Sequence, residues 1–412
     1  MSSEPRPSSP LIASTGLPRR TLDTRARIML PFCALLLLGL AVHRLVIADP
    51  EWPGHVEITG RTMGTTYSVK IATAELSPTS RTELAQAIED KLDRVNSLMS
   101  TYLDDSELSR FNRHASQEPF AVSAEMIAVF QIAQAVSKIS QGAFDITVRP
   151  LVSAWGFGAT DRPPKPPSET ELRELSRRVG FAKLSVLPDL QSLAKRDSLV
   201  ECDLSAIAKG YGVDQIAQTV EALGYANYLV EIGGELRAHG QKSDGRTWRI
   251  GIERPDGVAR MSHQVVVLAN ISIATSGDYR DYYEVDGQRI SHTIDPRSQR
   301  PIQHALASVS VLHEQAAWAD ALATALNVMG PEEGFRFANE HDIAALFLVR
   351  EPTGQFRALT TPAFERHGEA TSGQQAAEQL RAEPDAGSGL FRSLLGSQSA
   401  SAPRPISRRD HG

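Results

Sequence analysis

Between Tyr228 and Ile294 the chain carries one strand-like stretch after another with no helical period between them, and this run limits the fold more than any other feature. Tyr228 to Leu236 surrounds Gly233-Gly234, Trp248 to Glu253 and Gln264 to Ala274 follow, and Tyr282 to Ile294 reads as a hairpin turned by Asp286-Gly287. A further apolar strand, Ala307 to Leu312, leads into a helix from Glu314 to Met329. Strands and helices mix without a regular βαβ repeat, so parallel crossovers are not the organising unit. The expected fold is α+β, a largely antiparallel sheet with packed helices.

The first half supplies most of the helices. After a linker containing Pro50 and Pro53, Thr66 to Ala72 alternates as a strand, with Tyr67, Val69 and Ile71 on one side. Met63-Gly64-Thr65 before it reads either as a turn or as a place where backbone approaches a ligand closely. Leu84, Ile88, Leu92, Val95 and Met99 recur at helical spacing, and that helix should end near Thr101 and Tyr102. Ser123 caps a second helix with Met126, Phe130, Ala133 and Val136 as its stripe and Gly142 as its stop. Phe144 to Val148 reads as a short strand, and Ser168 with Glu171 as the capping box of a helix ended by Gly180.

At 412 residues, 41% hydrophobic and 22% charged, the composition is that of a globular protein, with one folded domain expected over 55–360. The tail, 361–412, loses periodicity, fills with Gly, Ser, Gln, Ala and Arg, and is expected to be disordered. A net charge of -6 with no basic face excludes nucleic acid as the natural partner. Cys33 lies in the N-terminal apolar run, so Cys202 has no disulfide partner in the folded part and reads as a small buried hydrophobe.

Arg19, Arg20, Arg25 and Arg27 precede an unbroken apolar run from Ile28 to Val42, the order of an export signal or signal anchor. His43 and Arg44 reach an interface and Leu45 to Ala48 extend the run, so 1–27 is expected in the cytoplasm and 28–48 as an anchor or cleaved peptide. The folded part then faces the periplasm at the bacterial inner membrane.

Four stretches carry chemistry. In Glu201 to Gly212 a buried-looking strand runs into a helix: Asp203 ends the strand, Ser205 caps the first turn and Lys209 follows within it. Backbone N–H groups, a carboxylate and an ammonium converge there, which suits an anion, although a capped helix with one lysine is also ordinary architecture. Asp320 and Thr324 share a helix face, as a hard cation needs and as a solvated or capping aspartate also does. His292 precedes the turn set by Pro296, where an imidazole takes a proton from a hydroxyl or serves structure alone. Ala274 to Tyr279 offers hydroxyls and Gly277 for a phosphate path, or is a loop.

Seven stretches occur in a telling order: Met63-Gly64-Thr65, Ser100-Thr101-Tyr102, Phe144-Asp145-Ile146-Thr147, Asp203 to Tyr211, Glu231-Ile232-Gly233-Gly234-Glu235, Ser291 to Pro296, and Ala319 to Leu326. Together they resemble the ApbE family of FAD:protein FMN transferases over roughly residues 55 to 350. The resemblance implies an enzyme that uses FAD and Mg²⁺ to place FMN on a threonine or serine of an acceptor flavoprotein through a phosphodiester bond, releasing AMP. It implies flavin contacts at Met63, Tyr102, Ala143, Phe144, Asp145, Asp203, Lys209 and Ile294, and metal ligands at Asp320, Thr324 and the Ala206 carbonyl. Ala323 stands where some members carry another carboxylate. The acceptors implied are flavoprotein subunits of membrane redox complexes, such as the sodium-translocating NADH:quinone reductase. His292 is then the expected base. An FAD pyrophosphatase or a flavin-carrying protein without turnover are the alternatives. The mechanism requires the helix start at Asp203 and Lys209 to lie beside the face of Asp320 and Thr324.

Overall fold

The structure, a computed structural model, describes residues 54–160, 162, 165–255, 262–277, 282–285 and 288–367. The N-terminal segment, the expected anchor, Cys33, Asp278, Tyr279 and the Asp286-Gly287 turn lie outside the described residues.

The chain begins its sheet earlier than the alternation at Thr66 suggests. Strands β1 (Val56–Thr62) and β2 (Thr65–Ile71) pair antiparallel with Thr62 opposite Thr65, leaving Met63 and Gly64 as a two-residue turn. Both turn residues have positive φ, 48° and 74°, as the primed hairpin turns require. Helix α1 (Pro78–Met99) is capped by Ser77 and buries the expected stripe. It ends at Met99, so Tyr102 lies in the loop before α2 (Glu107–Arg113), 71% exposed. Strand β3 (Phe120–Ala121) precedes α3 (Ala124–Ile139), which Ser123 caps as expected.

The strand expected at Phe144 to Val148 is absent. Asp145 Oδ1 accepts from the backbone N–H and the hydroxyl of Thr147, at 2.8 and 2.7 Å, and starts a 3₁₀ turn over Ile146–Val148 that continues into α4 (Arg149–Ala154). A local side-chain acceptor here overrides β propensity. In α5 (Glu169–Ser176) only half of the capping box forms: Ser168 accepts from Glu171 N–H, while the Glu171 carboxylate pairs with Arg162. Strands β4 (Leu184–Leu187) and β5 (Ser192–Lys195) join β3 in a small sheet ordered β3-β5-β4.

After α6 (Ala208–Ala222) come β6 (Tyr228–Ile232) and β7 (Glu235–His239), turned by Gly233 and Gly234 at φ 63° and 109°. The stretch expected as one strand from Gln264 to Ala274 is two, because Asn270 takes φ 54° between β9 (Ser262–Leu268), partner of β8 (Trp248–Glu253), and β10 (Ile271–Gly277). Two short ribbons follow, β11 (Tyr282–Val285) with β12 (Gln288–Ser291), and β13 (Ile294–Asp295) with β14 (Arg300–Pro301). Strand β15 (Leu306–His313) enters α7 (Ala316–Glu340), which kinks where Gly330 adopts φ 78° just before Pro331. The expected end at Met329 is therefore the end of its first segment. Strands β16 (Ala344–Arg350) and β17 (Phe356–Thr360) complete the main sheet.

That sheet is ordered β1-β2-β6-β7-β10-β15-β16-β17, and every neighbouring pair is antiparallel. Ile58, Tyr67, Val69 and Val230 from its first strands pack with Leu84, Ile88 and Leu92 of α1 and Val213 and Ile216 of α6. Burial of each large aliphatic side chain contributes about 1.5–3 kcal/mol, so the stripes seen in the sequence hold these layers together. A second cluster joins α3, the buried face of α7 and the segment Val200–Ile207. Thr361 and Phe364, where the tail was expected to begin, are buried, and Thr361 Oγ1 bonds to the backbone of Ile343 and Ala345.

Candidate active site

The site forms where α6 meets α7. Residues 201–204 form no strand, Ser205 to Ile207 turn, and α6 begins only at Ala208. Ser205 is thus no cap. Its N–H and hydroxyl both donate to Asp203 Oδ1, at 2.8 and 2.5 Å, which closes a side-chain turn ahead of the helix. Ile207 occupies the cap position and has no acceptor side chain.

The missing cap comes from the other helix. Asp320 of α7 accepts the Gly210 N–H on Oδ2 at 3.0 Å. In return Asp214 of α6 accepts the N–H groups of Ala316 and Ala317 at 2.9 Å each, capping α7, whose own cap residue Gln315 makes no side-chain bond. Two helix N-termini therefore cap one another, and each carboxylate sits at the positive end of the partner's dipole. Only glycine at 210 permits this crossing, since a Cβ there would stand 2.3 Å from the Ala316 carbonyl oxygen. The same bond commits the Gly210 N–H that a regular i→i−4 pattern would direct to the Ala206 carbonyl.

Lys209 projects from this start between two acids. Its Nζ is 2.9 Å from Glu235 Oε1 and 3.6 Å from Asp320 Oδ1, with the glutamate and aspartate side chains 3% and 5% exposed. Burial pushes the Glu235 carboxyl above the usual glutamate range, with Lys209 the main opposing influence. Burial also disfavours the Lys209 ammonium, but the two carboxylates together outweigh that and hold it above the usual lysine range. Glu235 Oε2 is buried and, among the described residues, has no hydrogen-bond partner. The sequence placed this glutamate in a motif without assigning it a role. Its signal was a carboxylate immediately after a Gly-Gly turn, where backbone approaches closely: a Cβ on Gly233 would lie 2.8 Å from Thr65 and 3.4 Å from the Lys209 stem.

One turn beyond Asp320, Thr324 Oγ1 lies 3.1 Å from Ser276 Oγ at the end of β10. Asp320, Thr324 and Ser276 present hard oxygens, the donor chemistry of Mg²⁺. Among the described residues no group of three or more His, Cys, Asp or Glu side chains is placed to hold a metal. A cation here would rely on one carboxylate with hydroxyl and carbonyl oxygens.

The other expected contacts fall into three places. Met63, at the hairpin turn, packs toward α6, with its Cε 3.1 Å from where a Gly212 Cβ would be. Ala143, Phe144 and Asp145 are buried, and Asp203 N–H bonds to Ile146 O at 2.7 Å, tying that segment to the helix start. Both Asp145 oxygens are engaged within the protein, Oδ1 by Thr147 and Oδ2 by Phe181 N–H at 2.7 Å. Burial still pushes its carboxyl above the usual aspartate range. His292 and Ile294 stand on a separate wall: His292 meets the Phe157 ring edge-on at 6.4 Å, and Ile294 packs with Leu151, Trp155 and Ile290. Strand β13 packs against α7, and Asp295 orients the segment by accepting Arg297 N–H at 2.8 Å. Cys202 is fully buried, its backbone clamped by the Asn112 amide through two 2.8 Å bonds, and burial pushes its thiol up.

Known proteins of similar sequence and fold belong to one family. The model of the ApbE family matches residues 63–347. The FAD:protein FMN transferase of Vibrio cholerae is 43% identical over 321 residues, covering 78% of this chain and 95% of the relative. That of Haemophilus influenzae is 40% identical, covering 76% and 91%. Among solved structures, the flavin transferase ApbE from Vibrio cholerae superposes with a TM-score of 0.68 at 42% identity, covering 76% of this chain and 98% of that one. The apo form of the Pseudomonas stutzeri flavinyl transferase ApbE gives 0.70 at 38% identity, covering 78% and 98%. With the family model matching residues 63–347, relatives at 40–43% identity and structures of the same fold, this chain belongs to the ApbE family.

Proposed function

We propose that the protein is an FAD:protein FMN transferase, moving the FMN part of FAD to a threonine or serine hydroxyl of an acceptor flavoprotein. The observation that carries this reading is the meeting of the α6 start with the α7 face, Lys209 Nζ 3.6 Å and Gly210 N 3.0 Å from Asp320. A pyrophosphate is a diffuse anion, and its cleavage depends on charge neutralisation and in-line positioning. Asp320, Thr324 and the Ala206 carbonyl would hold Mg²⁺, which when bound neutralises charge on the phosphate oxygens. Lys209 adds a positive charge beside them, and Met63, Asp203 and the Ala143–Asp145 segment shape the flavin end.

The acceptor hydroxyl oxygen bonds to the FMN phosphorus as the bond from that phosphorus to the AMP oxygen breaks. The hydroxyl proton passes to the His292 imidazole. General-base help of this kind is worth about 10²- to 10⁴-fold, so His292→Ala should slow transfer by that factor with FAD still bound. Unchanged transfer in that variant would remove the role. The N-terminal apolar run anchors or exports the domain to the periplasmic face of the inner membrane, beside acceptor subunits of membrane redox complexes. Incubating the protein with FAD and Mg²⁺, with and without an acceptor peptide, and measuring AMP tests the activity. AMP only with acceptor supports transfer, AMP without acceptor indicates a pyrophosphatase, and none in either arm indicates a flavin carrier.

A further inference from the structure

Lys209 has a choice of two carboxylates. Glu235 Oε1, at 2.9 Å, is the nearer, and Asp320 Oδ1, at 3.6 Å, lies beyond ordinary hydrogen-bond distance. The Lys209 side chain is 28% exposed, but its ammonium lies between two buried carboxylates, so losing the nearer one leaves the other as its attracting partner. Without the charge at 235, Asp320 alone remains, and the four-carbon stem lets the ammonium close onto it. That contact would occupy the oxygen that a cation at Asp320 and Thr324 needs.

Glu235 is placed to prevent this. The Gly233-Gly234 turn sets it at the first position of β7, and Gly233 packs against the Lys209 stem itself. Its second oxygen is buried without a partner among the described residues, so the carboxylate is not drawn away from the ammonium by another donor. We infer that Glu235 is a positioning residue that holds the Lys209 ammonium off Asp320, keeping that carboxylate available to a divalent cation. The inference rests on the assignment of Asp320 and Thr324 as cation ligands. Neither Ala206, Asp320 nor Thr324 substitutes for Glu235 in this role, since none offers Lys209 a second charge.

Mn²⁺ titrated into the full chain without FAD, followed by loss of the free ion's paramagnetic signal, tests it. Asp320→Asn should abolish binding; if it binds like the unaltered protein, the ligand assignment fails, and this inference with it. Glu235→Gln, which keeps side-chain length and removes the charge, should weaken Mn²⁺ binding about tenfold, as expected for an ammonium competing at close range. In a Lys209→Met background the same change should cost threefold or less, because no competitor remains. Equal affinity of Glu235→Gln and the unaltered protein, with Asp320→Asn still inactive in binding, would overturn the inference alone. So would a tenfold loss that persists in the Lys209→Met background. Should Glu235→Gln fail to fold, Lys209→Met decides: Mn²⁺ affinity equal to or above the unaltered protein supports the competition, and a loss of affinity overturns it.

Discussion

Asp145 and Asp320 are both buried aspartates, 6% and 3% exposed, yet their surroundings differ in kind. Asp145 is saturated by fixed donors of its own neighbourhood, the Thr147 N–H and hydroxyl and the Phe181 N–H. Asp320 has one fixed donor, Gly210 N–H, and otherwise faces a lysine on a rotatable stem, which in turn touches a glutamate with one unpartnered oxygen. Saturation by backbone donors organises the chain. A carboxylate whose remaining partner can move is able to exchange that partner for a ligand.

The strongest break of this contrast is Asp320→Asn, expected to lower the FAD-dependent release of AMP with acceptor by about 10³-fold or more, the scale of lost metal and charge stabilisation. Its unfolding midpoint in urea should move little by comparison, since asparagine still accepts from Gly210. Retained turnover would place the metal elsewhere. Gly210→Ala tests the crossing that brings Asp320 to the α6 start. The new Cβ meets backbone at 2.3 Å, so a loss of about 3 kcal/mol is expected in urea unfolding, the upper range for overpacking.

Asp145→Asn sharpens the other side. Replacing an anion that takes three hydrogen bonds should cost about 2 kcal/mol of stability, while FAD affinity of the folded protein, read by flavin fluorescence, changes less than about tenfold. A larger loss of FAD affinity would make Asp145 a flavin contact through its carboxylate as well as a cap. The smallest effect is a slope with pH. Burial raises the Asp145 carboxyl in the folded state, so the folded form takes up the proton before the unfolded one does. Its contribution is then full below the ordinary aspartate value near about 4, and is lost as pH rises through the raised folded value. Subtracting the Asp145→Asn stability curve from that of the unaltered protein should show a difference that falls with rising pH. A difference that grows instead would mean that the backbone donors outweigh burial.

Much of the fold was legible because its signals are local. The stripe from Leu84 to Met99 and the cap at Ser123 needed only periodicity and one acceptor side chain. The errors lie where a side chain chose between local and distant partners. Phe144 to Val148 has strand composition, but Asp145 accepts from Thr147 and turns the chain. Ser205 has the composition of a cap, but Asp203 claims its hydroxyl and the true acceptor is on α7. Strand β1, Val56–Thr62, is unassigned by the sequence, and its pairing with β2 defines it.

By itself the sequence determined the α+β class, the antiparallel pairing and the ordered motifs that mark the family, because periodicity, turn residues and motif order are properties of neighbours along the chain. It also named Lys209, Asp320 and Thr324. Tertiary structure alone decided that Gly210 and Asp320, 110 residues apart, share a hydrogen bond, that two helices cap each other, and that Glu235 completes the charge cluster. Those outcomes depend on how closely backbones approach and on which buried charges find partners. No window of sequence contains both halves of such a contact.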